Sequence, residues 1–145
     1  AKMLASPTLN ENGSYSKILV IDDDETIRVM LEYFLAGAGF KVLQSNTGQA
    51  AFEAILDQPD IAAIIIDHYM PNMTGLQFVR MMKRLQLLPN AALIMMTGNS
   101  EAKFIKEVAK SGVSALLVKP FDKERLFTVL QKSGVSLPLN SKSAA

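Results

Sequence analysis

The segment IAAIIID, residues 61–67, has six apolar residues in succession and ends at an aspartate. A strand that is apolar at every position, rather than at alternate ones, is typical of a parallel sheet covered on both faces. Apolar runs also occur at 18–21, 91–96 and 115–118, and a weaker strand pattern occurs at 41–45. We therefore predict that residues 61–67 contain the central strand and that the other segments form the remaining strands.

Helical patterns separate the predicted strands. Between residues 25 and 38 the apolar side chains recur every three or four positions, and glycines end the pattern. Thr47 is the predicted N-cap of a second helix, and further helices are predicted after Gly75, at 100–111 and at 123–132. This alternation predicts an α/β fold with a five-stranded, doubly wound parallel sheet and helices on both faces.

The predicted domain spans residues 16–133. Residues 1–15 and 134–145 are rich in small polar residues and lack an apolar period. We predict that they form flexible tails, of which the second is alternatively a truncated linker.

The composition excludes several classes of protein. The formal net charge of +1 argues against a nucleic-acid binder. Cysteine is absent, which excludes disulfides and thiolate metal sites and is compatible with a cytoplasmic location. The longest apolar runs are far shorter than the roughly 20 residues that a membrane helix needs, so no membrane association is expected.

Polar residues follow the predicted strands at the point where each one ends. Asp22 and Asp23 follow the first strand, Asp67 the third, Thr97 the fourth and Lys119 the fifth. In open parallel sheets, ligands bind beyond the carboxyl ends of the strands, at the point where the strand order reverses. If the first and third strands flank that point, these five side chains converge on one site.

Such a site has the chemistry of phosphoryl transfer. Three carboxylates repel one another unless a cation lies among them, and an all-oxygen ligand set suits Mg²⁺. Three carboxylates, one Mg²⁺ and Lys119 together have no net charge, so a phosphate group would meet a neutral site. Asp67 is a candidate nucleophile, Lys119 a candidate partner of the transferring oxygens, and Thr97 a candidate hydrogen-bond donor to the phosphoryl group.

Four segments resemble the motifs of the response-regulator receiver family, to which chemotaxis regulators belong, in the same order and with similar spacing. They are ILVIDDD (18–24), IIIDHYMPNMTG (64–75), MMTG (95–98) and LLVKPF (116–121), and the resemblance extends over residues 17–133. It implies a flavodoxin-like sheet of order 2-1-3-4-5. It also implies a phosphorylation-activated signalling switch whose phosphoryl donor is a sensor histidine kinase or a histidine phosphotransfer protein. Such a protein has at most slow self-dephosphorylation and is not a conventional enzyme.

The resemblance implies a role for each residue of the site. Asp67 is the implied phosphoacceptor. Asp23, Asp67 and the backbone carbonyl of Tyr69 are the implied direct Mg²⁺ ligands, whereas Asp22 acts mainly through water. Lys119 is implied to contact the phosphoryl group.

The switching residues depart from the family pattern at one position. Thr97 is implied to move toward the phosphoryl group, but Leu116 replaces the Tyr or Phe whose ring usually moves with it. The signal then travels, by hypothesis, through the loop and helix after Thr97.

Phe104, Leu116 and Phe127 form a predicted surface for a homodimer or a downstream effector, and burial of the two rings is the alternative. The peptide bond before Pro120 is implied to be cis.

Three other interpretations remain open. The spacing Asp22-x-Asp24-x-Thr26 is also that of haloacid-dehalogenase-type phosphatases, in which Asp22 would be the nucleophile and Asp67 would have no role. A flavodoxin-like cofactor binder would need Gly, Ser and Thr after the first strand, where this chain is acidic. A degenerate receiver would only dock partners, although this chain has the complete set of acids, Thr and Lys.

Asp24 is predicted to be a helix N-cap, and His68 a plain loop residue.

Overall fold

The computed structural model describes residues 16–98 and 101–138. Along these residues five strands alternate with five helices. The strands are β1 (Lys17–Ile21), β2 (Lys41–Ser45), β3 (Ile61–Asp67), β4 (Ala92–Thr97) and β5 (Ala115–Val118), and the helices are α1 (Glu25–Gly37), α2 (Gly48–Asp57), α3 (Gly75–Arg84), α4 (Ala102–Ser111) and α5 (Lys123–Lys132).

The strands form one parallel sheet of order β2-β1-β3-β4-β5. The predicted fold and strand order are thereby confirmed, with β3 in the middle of the sheet. The order reverses between β1 and β3, where Ile21 pairs with Ile66. Because Asp22 follows Ile21 and Asp67 follows Ile66, these two aspartates lie at the same edge of the sheet.

Each strand contributes alternate side chains to two apolar layers. In β1, Ile18 and Val20 pack with residues of α1 and α5, whereas Leu19 and Ile21 pack with residues of α2, α3 and α4. All four side chains are fully buried. Burial on both faces of the sheet explains why β1, β3 and β4 are apolar at nearly every position.

Side chains cap four of the helices at their N-termini. Asp24, Thr47, Thr74 and Asp122 accept hydrogen bonds from backbone N–H groups in the first turns of α1, α2, α3 and α5 respectively. The predicted caps at Asp24 and Thr47 are therefore confirmed. Thr74 also forms a capping box with Gln77. Each cap satisfies an N–H that the helix itself leaves unpaired and contributes about 1 kcal/mol.

The domain continues beyond its predicted end at residue 133. Val135 is 8% exposed, and Leu137 packs against the layer that contains α1 and α5. The first residues of the predicted C-terminal tail therefore belong to the packed structure. The predicted N-terminal tail, residues 1–15, and the last part of the predicted C-terminal tail, residues 139–145, lie outside the described residues.

The element boundaries differ from the predicted ones by one or two residues. β3 includes Asp67 and β4 includes Thr97, so the sheet itself holds the backbone of both residues. The helix predicted to begin at Ser100 begins at Ala102, and Ser100 lies outside the described residues. Within the described part of the chain, no helix is long and apolar enough to cross a bilayer.

We expect Phe78→Ala to lower the free energy of unfolding by about 3–5 kcal/mol. The ring of Phe78 is fully buried and stacks on Phe52, with the ring centroids 4.5 Å apart. Leu56→Ala is the matched control, because Leu56 lies on α2 and is 73% exposed. Its effect should stay within about 0.5 kcal/mol. Urea denaturation followed by circular dichroism measures both changes, and equal losses would contradict the assignment of Phe78 to the core.

Candidate functional site

The three consecutive aspartates after β1 differ in their environment. Asp22 is 1% exposed, and its Oδ1 accepts a hydrogen bond from the backbone N–H of Asp24 at 2.9 Å. Asp23 is exposed to solvent. Asp24 caps α1, because its Oδ1 accepts a hydrogen bond from the backbone N–H of Thr26 at 2.9 Å. Two of the three carboxylates, those of Asp22 and Asp23, therefore remain for the site.

Asp67 completes an acidic cluster at the carboxyl edge of the sheet. Carboxylate oxygens of Asp22, Asp23 and Asp67 all lie within 4.8 Å of one another. Asp67 is 6% exposed and therefore almost as buried as Asp22. The structure thus brings together the three acids that the sequence places after two separate strands.

Lys119 lies beside this cluster. Its Nζ is 3.1 Å from Oδ2 of Asp22 and 3.0 Å from Oδ1 of Asp67. The backbone N–H of Lys119 donates to the carbonyl of Thr97 at 2.8 Å, and Thr97 is fully buried. The peptide bond between Lys119 and Pro120 is cis, as the family resemblance implies. The predicted Thr and Lys of the site are therefore adjacent at the ends of β4 and β5.

Burial has the largest effect on the pKa values of Asp22 and Asp67, the two nearly buried acids. It raises the pKa of Asp22 above its ordinary value, and the charge of Asp67 raises that pKa further. The pKa of Asp67 is also raised, first by burial and then by the charge of Asp23, against the opposing effect of Lys119. Burial alone would lower the pKa of Lys119, but its hydrogen bonds to Asp67 and Asp22 raise that pKa. One ammonium therefore does not fully compensate the carboxylates.

The donor set of this cluster fits a hard divalent cation. Three carboxylates and one ammonium leave a formal charge of −2, which a divalent cation neutralises. Oxygen ligands without His or Cys are those that Mg²⁺ prefers. The distances among the three acids are compatible with a shared cation.

Gly75 packs directly against the backbone of β3. A Cβ placed on Gly75 would lie 2.7 Å from the carbonyl oxygen of Asp67 and 3.0 Å from the Cα of His68. The N–H of Gly75 donates to the carbonyl of His68 at 2.8 Å. The start of α3 therefore touches the chain at the acidic residue itself, and this contact leaves no room for a side chain.

His68, predicted to be a plain loop residue, is packed among aromatic rings rather than exposed. The residue is 8% exposed, and its ring lies between those of Tyr69 and Phe104, at centroid distances of 4.7 and 4.6 Å. Its Nδ1 is buried and has no hydrogen-bond partner among the described residues. Burial lowers the pKa of His68, against the opposing charge of Glu107. No pattern in the sequence distinguishes this packed imidazole from an exposed one.

The residues of the predicted partner surface are all partly buried. Phe104 and Leu116 pack against the layer that contains α2, α3 and α4, whereas Phe127 packs against the opposite layer. On the same elements Ile105 and Val118 are more open, with 40% and 45% of their surface exposed. The use of this surface by a partner stays a prediction.

Comparison with known proteins identifies relatives of the chain. The family model described as response regulator receiver domain matches residues 18–131. The chain is 26% identical to the two-component response regulator ORR5 of Oryza sativa subsp. japonica over 110 residues, which are 76% of this chain and 82% of the relative. It is 31% identical to the phosphate regulon transcriptional regulatory protein PhoB of Pseudomonas aeruginosa over 122 residues, 81% of this chain and 52% of PhoB. Among solved structures, the chemotaxis response regulator CheY4 of Vibrio cholerae superposes with a TM-score of 0.76 and 30% identity, covering 81% of this chain and 98% of CheY4.

We expect Asp67→Asn to raise the free energy of unfolding at pH 7 in EDTA, because it removes a carboxylate whose ionised form is disfavoured by burial. The folded pKa lies above the ordinary 3.8, so the stability linked to this group is present below pH 3.8 and is lost as the pH rises through the folded pKa. The gain should therefore shrink in acid. Asp57→Asn, at an exposed carboxylate on α2, is the control. Urea denaturation from pH 3 to pH 7 measures the difference, and a lower stability of Asp67→Asn at pH 7 would show that the pair with Lys119 outweighs burial.

We expect Gly75→Ala to lower the free energy of unfolding by about 1–3 kcal/mol, because the new Cβ would overlap backbone atoms that cannot move independently. Gly37→Ala is the matched control, since Gly37 is in α1 and has nothing within 4 Å of its Cβ position. That substitution should stabilise the protein by about 0.5–1 kcal/mol. Opposite signs in urea denaturation would support the contact with Asp67, whereas two stabilising substitutions would contradict it.

Proposed function

Since this chain belongs to the response regulator receiver family of two-component systems, we propose that it is a phosphorylation-activated signalling switch with Asp67 as its phosphoacceptor. The observation that supports this proposal best is the position of Asp67. Its carboxylate lies within 4.8 Å of those of Asp22 and Asp23 and 3.0 Å from Nζ of Lys119. A nucleophile, a cation site and a fixed ammonium are therefore adjacent.

The proposed donor is a phosphohistidine of a sensor histidine kinase or of a histidine phosphotransfer protein. A carboxylate oxygen of Asp67 attacks phosphorus and forms a new P–O bond. The P–N bond to the donor histidine breaks, and its electron pair returns to the imidazole, which takes up a proton. The product is an aspartyl phosphate, and the chain then returns slowly to its starting state by self-dephosphorylation.

The other site residues stabilise charge during this transfer. A bound Mg²⁺ would supply positive charge to the transferring oxygens. Asp22, Asp23, Asp67 and the backbone carbonyl of Tyr69 are the proposed ligands, with Asp22 acting through water. The ammonium of Lys119, which contacts Oδ1 of Asp67, would turn to a phosphoryl oxygen.

Asp67 is a better nucleophile candidate than Asp22. Both oxygens of Asp22 already accept hydrogen bonds, one from the Asp24 N–H and one from Lys119. The phosphatase interpretation also needs Asp24 to face the site, whereas its carboxylate caps α1 through the N–H of Thr26. These contacts favour a phosphoacceptor at Asp67 over a phosphatase that uses Asp22.

The output of the switch is proposed to pass through the last part of the domain. Thr97, fully buried at the end of β4, would donate a hydrogen bond to the phosphoryl group. The partly exposed side chains of Phe104, Leu116 and Phe127 would then contribute to a homodimer or effector surface. We place the switch in the cytoplasm, in keeping with the absence of cysteine.

We expect intact mass spectrometry to detect one phosphoryl adduct after incubation with acetyl phosphate and Mg²⁺. The adduct should be absent from Asp67→Asn and from a sample in EDTA, because the first lacks the nucleophile and the second lacks the cation. Asp57→Asn, which removes an exposed carboxylate elsewhere, should be phosphorylated as the wild type is.

Two outcomes would count against the proposal. An adduct that persists on Asp67→Asn but disappears from Asp22→Asn would assign the nucleophile to Asp22. No adduct on folded wild-type protein, with either acetyl phosphate or a phosphorylated histidine phosphotransfer protein, would favour a degenerate receiver that acts by docking alone.

A further inference from the structure

Asp22 is hydrogen-bonded at four positions, which are its backbone N–H, its two carboxylate oxygens and its backbone carbonyl. Its N–H donates to the carbonyl of Ser45 at 3.2 Å, and its two carboxylate oxygens accept from the N–H of Asp24 and from Lys119. The fourth position is its backbone carbonyl, which accepts a 2.7 Å hydrogen bond from Nη1 of Arg28. This last contact comes from a helix side chain, since Arg28 is the fourth residue of α1.

A series of side-chain hydrogen bonds at the edge strand of the sheet holds the guanidinium of Arg28. Its Nε donates to Oε1 of Gln44 on β2 at 3.0 Å, and Nε2 of Gln44 donates to Oε1 of Glu32 on α1 at 2.6 Å. A guanidinium has its donors in a rigid plane, so a contact at Nε determines where Nη1 points. Arg28 therefore connects β2 and α1 to the end of β1.

The carbonyl of Asp22 controls the direction of the next residue. It shares a planar peptide unit with the N–H of Asp23, so a hydrogen bond to that oxygen fixes the orientation of the whole unit. Asp23 is exposed, and its carboxylate makes no hydrogen bond within the described part of the chain. The hydrogen bond to the Asp22 carbonyl therefore restrains the backbone of Asp23, from which its carboxylate projects.

Charge and positioning make opposite predictions for Arg28. As a cation whose Nη1 contacts the backbone of Asp22, it would repel a second cation, so its removal should strengthen Mg²⁺ binding on charge alone. As a support for the ligand loop, its removal should weaken binding, because the partners that orient metal ligands typically contribute about 10–100-fold to affinity. The sign of the effect therefore separates the two roles.

We propose that Arg28 is a positioning residue for the acidic site, which orients the Asp23 carboxylate for a divalent cation by holding the carbonyl of Asp22. The inference rests on the proposed cation site and assigns a function to a residue outside it. Gln44 and Glu32 contribute by holding the guanidinium, so Gln44 should show a smaller effect of the same sign.

The test is a Mg²⁺ titration followed by ¹⁵N–¹H NMR at the amides of residues 22–24. We expect Arg28→Met to weaken Mg²⁺ binding about tenfold, Gln44→Leu to weaken it less, and Arg28→Lys, which keeps the charge and one donor, to restore part of the affinity. Arg80→Met is the control, because Arg80 is an exposed arginine on α3 with no ion pair among the described residues. It removes the same charge and should leave the affinity unchanged.

A second readout does not depend on the metal. In EDTA, ¹⁵N relaxation should report a lower order parameter at Asp23 in Arg28→Met than in the wild type, and no change at Leu19 in the middle of β1. An Arg28→Met protein that binds Mg²⁺ as tightly as the wild type, or more tightly, would overturn the inference. So would a loss of stability in urea with an unchanged order at Asp23. If the wild type binds no Mg²⁺, the proposed cation site fails, and the order of Asp23 alone decides whether Arg28 positions the loop.

Discussion

The ammonium of Lys119, shared between Asp22 and Asp67, is the contact on which the acidic site depends. Two nearly buried carboxylates and a third exposed one lie within 4.8 Å of one another, which like charges tolerate only with a cation nearby. Lys119 follows β5, and β4 separates that strand from β3. Its long side chain therefore spans the end of β4, above the fully buried Thr97, to reach both acids.

The sheet and the helix starts together fix where these charges lie. The reversal of strand order places the ends of β1 and β3 side by side, so two acids that are distant in sequence become neighbours. Contacts with the helices that follow also hold the backbone beside the acids. Asp24 caps α1 directly after the loop, and Gly75 begins α3 against the carbonyl of Asp67. Because helix N-termini favour negative charge, the start of α1 also offsets part of the repulsion among the acids.

The sequence predicts the parts of the site that follow from local rules. Apolar runs locate the strands, and the carboxyl ends of parallel strands share one edge of the sheet. The convergence of Asp22, Asp67 and Lys119 then follows from the strand order 2-1-3-4-5, which the family resemblance implies. Arg28 and His68 could not be found in this way. The helical period indicates only that Arg28 lies outside the apolar face of α1. Its contact with Asp22 depends on how α1 lies against β2. The burial of His68 depends on Phe104, which reaches it from another element.

The raised pKa values of Asp22 and Asp67 determine how stability and cation binding are related. Both shifts persist although Lys119 contacts both acids, so burial and mutual repulsion outweigh the effect of one ammonium on these pKa values. A change that relieves this repulsion, such as neutralising one acid, stabilises the fold and removes a ligand in the same step. The alternative is to keep the acids and to restrain the backbone that carries them, as the hydrogen bond from Arg28 to the carbonyl of Asp22 does. Such a restraint leaves all three carboxylates available, so the site retains an unfavourable charge that a divalent cation, in the proposed function, would neutralise.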